Sequence, residues 1–295
     1  MVKFQGILPP IATPFDYSGE IYKAKVRHNV EKWNQVKLGG YVVCGSTGES
    51  VLLTTDEKTA LWGMVADYAA ADRLLVAGTG MESVRETVAL TNIAAGLGYT
   101  AAMVRTPHYY KNLLDSVEAQ VLFFSAVADQ VKIPVMVYNW PQTTGIDIAP
   151  EAVARLSAHP NVIAIKESSG NVDRMKRMMS EASAGFQVLD GSAPKLWEAL
   201  QAGSPGAVLA FANAAPYACV TIWEAHRTRE QEAGEFWQNK IANPANLVTV
   251  KYGIPGLKYA MDLNGFYGGP CRLPLRPLAP EAKYEIEQAF ADLRG

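Results

Sequence analysis

Val162-Ile163-Ala164-Ile165-Lys166-Glu167-Ser168-Ser169-Gly170 passes from four consecutive apolar residues straight into a lysine, an acid, two serines and a glycine. A continuous apolar run marks a strand buried on both faces, as in a parallel sheet covered by helices; a strand with one wet face would alternate. The same unit recurs in both directions along the chain. Residues 134–138 and 186–189 flank it, then 101–104 and 207–210, and before those 74–77, 41–44 and 7–14. Helical patterns lie between the runs. Thr54 and Glu57 have capping-box spacing, and Leu61, Met64, Val65 and Tyr68 then share one face. Val117, Val121, Phe124 and Ala128 repeat that spacing. Eight such units predict an α/β fold, a closed (β/α)8 TIM barrel, which takes roughly 250 residues. The barrel is expected in residues 1–225. A helical C-terminal extension packed on it is expected in 226–295, with helices over 223–237, 256–262 and 280–293. An open doubly wound sheet is the rival, and it lacks its dinucleotide fingerprint: Gly78-Thr79-Gly80 is followed by Met81, Glu82 and Ser83, with no third glycine.

Composition narrows the function classes. Of 295 residues, 49% are hydrophobic and 19% charged, which supports a large core and argues against disorder. The net charge of −2 comes without runs of like charge, so neither nucleic acid nor an anionic membrane is an expected partner. No apolar stretch reaches the roughly 18 residues of a membrane span. The N-terminus, Met1-Val2-Lys3-Phe4-Gln5-Gly6, has no apolar signal core, so the cytoplasm is the expected compartment. Cys44, Cys219 and Cys271 form neither a disulfide framework nor a zinc site. His28, His108, His159 and His226 lack ligand spacing, so no metal is expected, and no cofactor.

Barrel enzymes carry their chemistry at the C-terminal ends of the strands. Those ends read Gly45-Ser46-Thr47-Gly48-Glu49-Ser50, Thr106-Pro107-His108-Tyr109-Tyr110, Tyr138-Asn139-Trp140-Pro141, Lys166-Glu167-Ser168-Ser169-Gly170 and Asp190-Gly191-Ser192. Lys166 has two readings. Desolvation at a strand end would lower its pKa and leave an amine able to attack a ketone; alternatively it is paired with a carboxylate. Position alone leaves both open. Tyr138, one β-α-β unit earlier, is either a proton shuttle or a rim phenol bonded to backbone. Residues 45–50 form either an anion-binding nest suited to a carboxylate or a simple helix-entry turn. Glu49 reads as a buried acceptor for backbone N–H groups, and His108 as a residue of the mouth's edge.

Taken together, these motifs resemble the dihydrodipicolinate synthase/N-acetylneuraminate lyase family, in order over most of the chain. The resemblance implies a class I aldolase barrel, usually a homotetramer built as a dimer of dimers, acting on a small-molecule 2-keto acid such as pyruvate. By position, Lys166 resembles the Schiff-base lysine, Tyr138 the proton-relay tyrosine, and Ser46 and Thr47 the pair that holds the keto-acid carboxylate, with Ser46 also in the relay. Tyr109 resembles the tyrosine lent to a neighbouring subunit's site, and Ser168 and Gly191 are expected to line the pocket. Thr143 stands where the lysine-biosynthesis synthases usually carry an arginine, and Trp140 adds bulk beside it. Gly253-Ile254-Pro255-Gly256-Leu257-Lys258, Gly268-Gly269-Pro270-Cys271-Arg272 and Ser168 look more like the 4-hydroxy-2-oxoglutarate aldolases. Cleavage of 4-hydroxy-2-oxoglutarate to pyruvate and glyoxylate is therefore preferred over condensation of pyruvate with aspartate semialdehyde. A nicotinamide oxidoreductase and a non-catalytic keto-acid binder remain the readings from other classes.

Overall fold

Each apolar run becomes a strand because both its faces are covered, one by the barrel interior and one by helices. The computed structural model describes residues 2–293. Among them, eight parallel strands form one sheet: β1 (Gly6–Leu8), β2 (Gly40–Val43), β3 (Leu74–Gly78), β4 (Ala101–Arg105), β5 (Val135–Asn139), β6 (Val162–Glu167), β7 (Gln187–Asp190) and β8 (Gly206–Val208). Their order is β1-β8-β7-β6-β5-β4-β3-β2. The ring closes between β1 and β2, where Gly39 N–H donates to Ile7 O (2.9 Å), Val42 N–H to Pro9 O (3.0 Å) and Ile11 N–H to Val42 O (2.9 Å). This is the (β/α)8 TIM barrel that the spacing predicts.

The first strand is shorter than the run 7–14 because Pro9 and Pro10 have no N–H to give the ladder. Only an isolated bridge from Pro10 to Val42 continues it. The capping box forms as its spacing predicts: Glu57 N–H donates to Thr54 Oγ1 (3.2 Å) and Thr54 N–H to Glu57 Oε2 (2.8 Å). The helix expected over 223–237 is in fact two, Pro216–Thr228 and Gln231–Asn246. Arg229 (φ 63°) turns into the left-handed region between them and ends the first. The eighth barrel helix thus runs through residue 225 to Thr228, and the remaining helices, with Gly253–Leu263 and Pro280–Ala289, lie beyond it. No helix among the described residues is long and apolar enough to cross a membrane.

Leu8, Val42, Val76, Met103, Met136, Ala164, Leu189 and Val208, one from each strand, belong to a single buried cluster and fill the barrel. Side chains in a strand alternate, so the residue two further on points the same way. Two past Met136 stands Tyr138, and two past Ala164 stands Lys166. The fold therefore aims both at the barrel axis, above the packed core and at the C-terminal mouth.

Candidate active site

Lys166 and Tyr138 are Cα partners across the β5–β6 ladder. Each is only 5% exposed, and the Lys166 amine lies 4.2 Å from the centre of the Tyr138 ring. No carboxylate forms an ion pair with Lys166 among the described residues, so the paired reading of this lysine does not hold. Burial lowers its pKa from 10.5 to about 7, opposed weakly by Asp190. An amine in that position is substantially neutral near neutral pH and therefore nucleophilic. Burial pushes the Tyr138 phenol well above its ordinary value, against the Ser46 and Ser168 hydroxyls that face it. The phenol accordingly rests as O–H, a proton donor. The Ser168 hydroxyl is buried and makes no well-formed hydrogen bond.

The backbone under this pair is held from outside the barrel. Asn139 Nδ2 donates to Glu167 Oε2 (2.8 Å) and to Asp147 Oδ1 (2.9 Å), while its Oδ1 accepts from Ile148 N–H (3.0 Å). Glu167 also takes the Ser169 N–H (2.7 Å) and pairs with Arg174 (3.3 Å). These bonds clamp the ends of β5 and β6 at the level of the two functional side chains. Gly191 N–H donates to Glu167 O (2.8 Å), bringing β7 into the same level. A Cβ at Gly191 would sit 2.0 Å from Ser168 Oγ, so only glycine lets these two strand ends meet.

Ser46 and Thr47 lie in one 3-10 turn, Ser46–Gly48. Two non-glycine residues in left-handed conformation bracket it, Cys44 (φ 60°) and Glu49 (φ 56°). Such conformations cost energy and persist where the surroundings impose them. Here the surroundings are visible. Thr13 Oγ1 donates to Gly48 O (2.6 Å), and Glu49, buried, accepts the Arg272 N–H (2.8 Å) and pairs with Lys258 (2.6 Å). Glu49 is thus a buried acceptor, as its position in the sequence suggests.

One cavity of about 130 Å³ gathers Ser46, Thr47, Tyr138, Lys166, Ser168 and Gly191. Its far wall is a segment that the sequence reading left unassigned to the mouth. The helix Gln231–Asn246 ends in a π-helical turn, Leu247–Lys251, which brings Val248, Thr249 and Val250 to the cavity, followed by Gly253, Ile254 and Leu257. π-turns recur at functional sites, and Pro244 inside the helix is the one local signal of irregularity. Tyr109 does not enter this cavity. It is 78% exposed and packs edge-on against Tyr110 at 5.0 Å. Its loop is fixed by Glu82, which takes the His108 and Tyr109 N–H groups (2.9 and 3.0 Å) and pairs with Arg105 (2.9 Å). His108, half exposed, sits at the edge of the mouth on the same carboxylate. The described residues hold no cluster of acids, cysteines and histidines fit for a metal ion.

The comparisons with known proteins agree with this architecture. The family model described as the dihydrodipicolinate synthetase family matches residues 3–293. The 4-hydroxy-tetrahydrodipicolinate synthase of Methanothrix thermoacetophila is 34% identical, over 99% of each chain. The crystal structure of a dihydrodipicolinate synthase from Bacillus anthracis superposes with a TM-score of 0.95 at 28% identity, over 100% of both chains. A dihydrodipicolinate synthase from Acinetobacter baumannii, solved with pyruvate, gives 0.93 at 29% identity over 99% of both chains.

Proposed function

Since the chain belongs to the dihydrodipicolinate synthetase family, a family of pyruvate-dependent class I aldolases, lyases and synthases, we propose that it is a cleaving member: it splits a 4-hydroxy-2-keto acid into pyruvate and an aldehyde through an imine on Lys166. The observation that carries this reading is the Lys166 amine itself, buried, without an acid partner and 4.2 Å above the Tyr138 ring.

Lys166 attacks C2 of the keto acid. The resulting carbinolamine loses water as Tyr138 gives its proton to the departing hydroxyl. A phenolate now faces an iminium ion, and that opposite charge offsets the burial that otherwise disfavours it. The phenolate takes the 4-hydroxyl proton, the C3–C4 bond breaks, and its electron pair flows into the iminium to give an enamine and an aldehyde. Tyr138 returns the proton to C3, water attacks the iminium, and hydrolysis frees pyruvate and the amine. Ser46 and Thr47 hold the C1 carboxylate, Ser46 extends the relay, and Ser168 and Gly191 complete the wall.

Cleavage is preferred because Thr143 occupies the place of the arginine that serves the aldehyde substrate's carboxylate in the biosynthetic synthases, and because the tail and Ser168 look like those of the 4-hydroxy-2-oxoglutarate aldolases. 4-Hydroxy-2-oxoglutarate, giving pyruvate and glyoxylate, is the reference substrate of the class, against which relatives with an uncharged C4 group are to be compared. The second reading, condensation of pyruvate with aspartate semialdehyde, is favoured by the names of the relatives. Assaying both reactions with equal enzyme decides between them: cleavage should dominate, and a far more efficient condensation would replace it with the synthase. In either case pyruvate with borohydride should leave its reduced adduct on Lys166, and an adduct on any other lysine would refute the assignment. A homotetramer, a dimer of dimers, completes the proposal, with Tyr109 of each subunit entering a neighbour's site. A fully active monomer in light scattering would remove Tyr109 from that role.

A further inference from the structure

We propose that the aldehyde half of the substrate is uncharged and apolar, a branched-alkyl or aryl group on C4 seated in an outer chamber against Trp140; this rests on the cleavage reading above. The chamber, about 410 Å³, opens directly from the inner cavity, with Ser46, Tyr138, Trp140 and Ile254 lining both. A keto acid joined to Lys166 therefore extends its C4 substituent into it. The indole of Trp140 lies nearly parallel to the Tyr138 ring, at 20° and 6.2 Å, and so presents a flat apolar face at the junction. Val51, Leu52, Pro274 and Leu275 continue that surface outward.

The ionised groups of the chamber already have protein partners of opposite charge. Arg105 lies 2.9 Å from Glu82 and Glu49 lies 2.6 Å from Lys258, while the His108 ring sits 2.9 Å from the same Glu82 carboxylate. The Thr144 hydroxyl is engaged by Trp140 O and Ile146 O at 3.2 and 3.0 Å. Thr143, exposed at the rim, offers a hydroxyl and no charge. A second carboxylate on the substrate would lose water here and meet, among the lining residues, only an arginine whose charge Glu82 already offsets, which is unfavourable. An apolar group would shed water onto apolar walls, and each methylene so placed changes specificity by about tenfold or more.

The test compares kcat/KM for three 4-hydroxy-2-keto acids alike at C1–C3, carrying a carboxylate, an isopropyl or a phenyl group at C4. Isopropyl or phenyl should exceed carboxylate by at least about tenfold. Thr143→Arg, at an exposed site that leaves the packing intact, should raise the carboxylate substrate and lower the phenyl one. Preference for the carboxylate in the unaltered enzyme overturns the inference, as does a Thr143→Arg variant with unchanged preference. Pyruvate and borohydride keep the two levels apart. An adduct on Lys166 together with carboxylate preference sinks the chamber assignment alone; an adduct with no cleavage of any of the three sinks the cleavage reading and the chamber assignment with it, and leaves the Schiff base standing. Absence of the adduct sinks the Schiff-base reading beneath it.

Discussion

Two buried lysines, Lys166 and Lys258, meet opposite surroundings. Lys258 is 1% exposed, yet its amine rests 2.6 Å from Glu49 and donates to Pro270 O at 2.8 Å, above the Phe15 ring. It ties the tail to the 45–50 loop, which Arg272 ties again as its N–H donates to Glu49 Oε2 (2.8 Å). Lys166 is 5% exposed and has only the Tyr138 ring beneath its amine. Burial is common to both, so burial is not what marks a nucleophile. Burial lowers the pKa of Lys166, and the lack of an ion-paired acid leaves that shift unopposed by any contact, with a free electron pair on the amine. Lys58 sharpens the point. It too is buried, and Met81 Sδ at 3.6 Å is its only side-chain hydrogen-bond partner among the described residues, but it faces a different pocket, whose one phenol, Tyr109, is 78% exposed, whereas the phenol beside Lys166 is buried.

Replacing each of the pair by methionine should break the comparison in two directions at once, and this is the largest effect expected. Lys166→Met abolishes turnover and borohydride trapping, yet should raise stability, because it removes an amine that the fold desolvates without compensation. The sign follows from proton counts. Between about 7 and 10.5 the folded state binds fewer protons at Lys166 than the unfolded chain, so stability rises with pH there. The penalty is full below about 7, and the gain from methionine is greatest in that range. Lys258→Met should do the reverse, costing about 3–5 kcal/mol by leaving Glu49 buried and unpaired, while the imine chemistry on Lys166 persists in whatever fraction folds. Urea denaturation at pH 6.5 with parallel trapping reads both. A destabilised Lys166→Met or an undisturbed Lys258→Met would erase the distinction between the two lysines.

Tyr138→Phe comes next in size. It removes the proton donor and keeps the ring on which Lys166 lies. Turnover should fall about 10²–10⁴-fold, the usual worth of general acid–base help, while pyruvate remains at least partly trappable. Stopped assays of both, on one preparation, separate the phenol's proton from the ring's packing. Equal loss of trapping and turnover would mean that Tyr138 only shapes the cavity.

How much of this was legible from the residues follows the range of the interactions. Strands were legible because two-sided burial writes itself into consecutive residues, as in 162–165. The alternation that points Tyr138 and Lys166 inward is equally local. The Pro9-Pro10 break and the Arg229 turn were missed because hydrophobic pattern reports burial and is silent on a lost donor or a positive φ. The wall from Val248 to Leu257 was missed for a different reason. It reaches the mouth only because the tail folds back over the barrel, a contact between residues far apart in the chain that no local spacing encodes. Trp140 was noticed as bulk, but the apolar chamber it opens needed Leu275 and Val51 placed beside it. Asp190 carries no local signal beyond its place at a strand end, because what sets its chemistry is burial beside Glu167 and Lys166.

Asp190 gives the last and smallest effect. It is fully buried, in register with Glu167, and its Oδ1 accepts the Ser192 N–H (2.9 Å) while Oδ2 has no partner. Burial pushes its pKa up to about 8, with the Glu167 carboxylate adding to the shift. Its charge raises the pKa of Lys166, against the larger downward pull of burial. The rate of cyanoborohydride trapping with pyruvate should therefore climb with pH as Lys166 loses its proton, with a midpoint near 7, and then level. Asp190→Asn removes the carboxylate whose charge favours the protonated amine, so the midpoint should move down. The displacement should be small, because Asp190 itself stays largely protonated until about pH 8 and carries little charge where Lys166 titrates. Asparagine keeps the shape and the Ser192 bond, so a large loss of rate at every pH would point to packing instead. A midpoint that moves up, or one that lies near 10 in the unaltered enzyme, would show that burial does not govern this lysine.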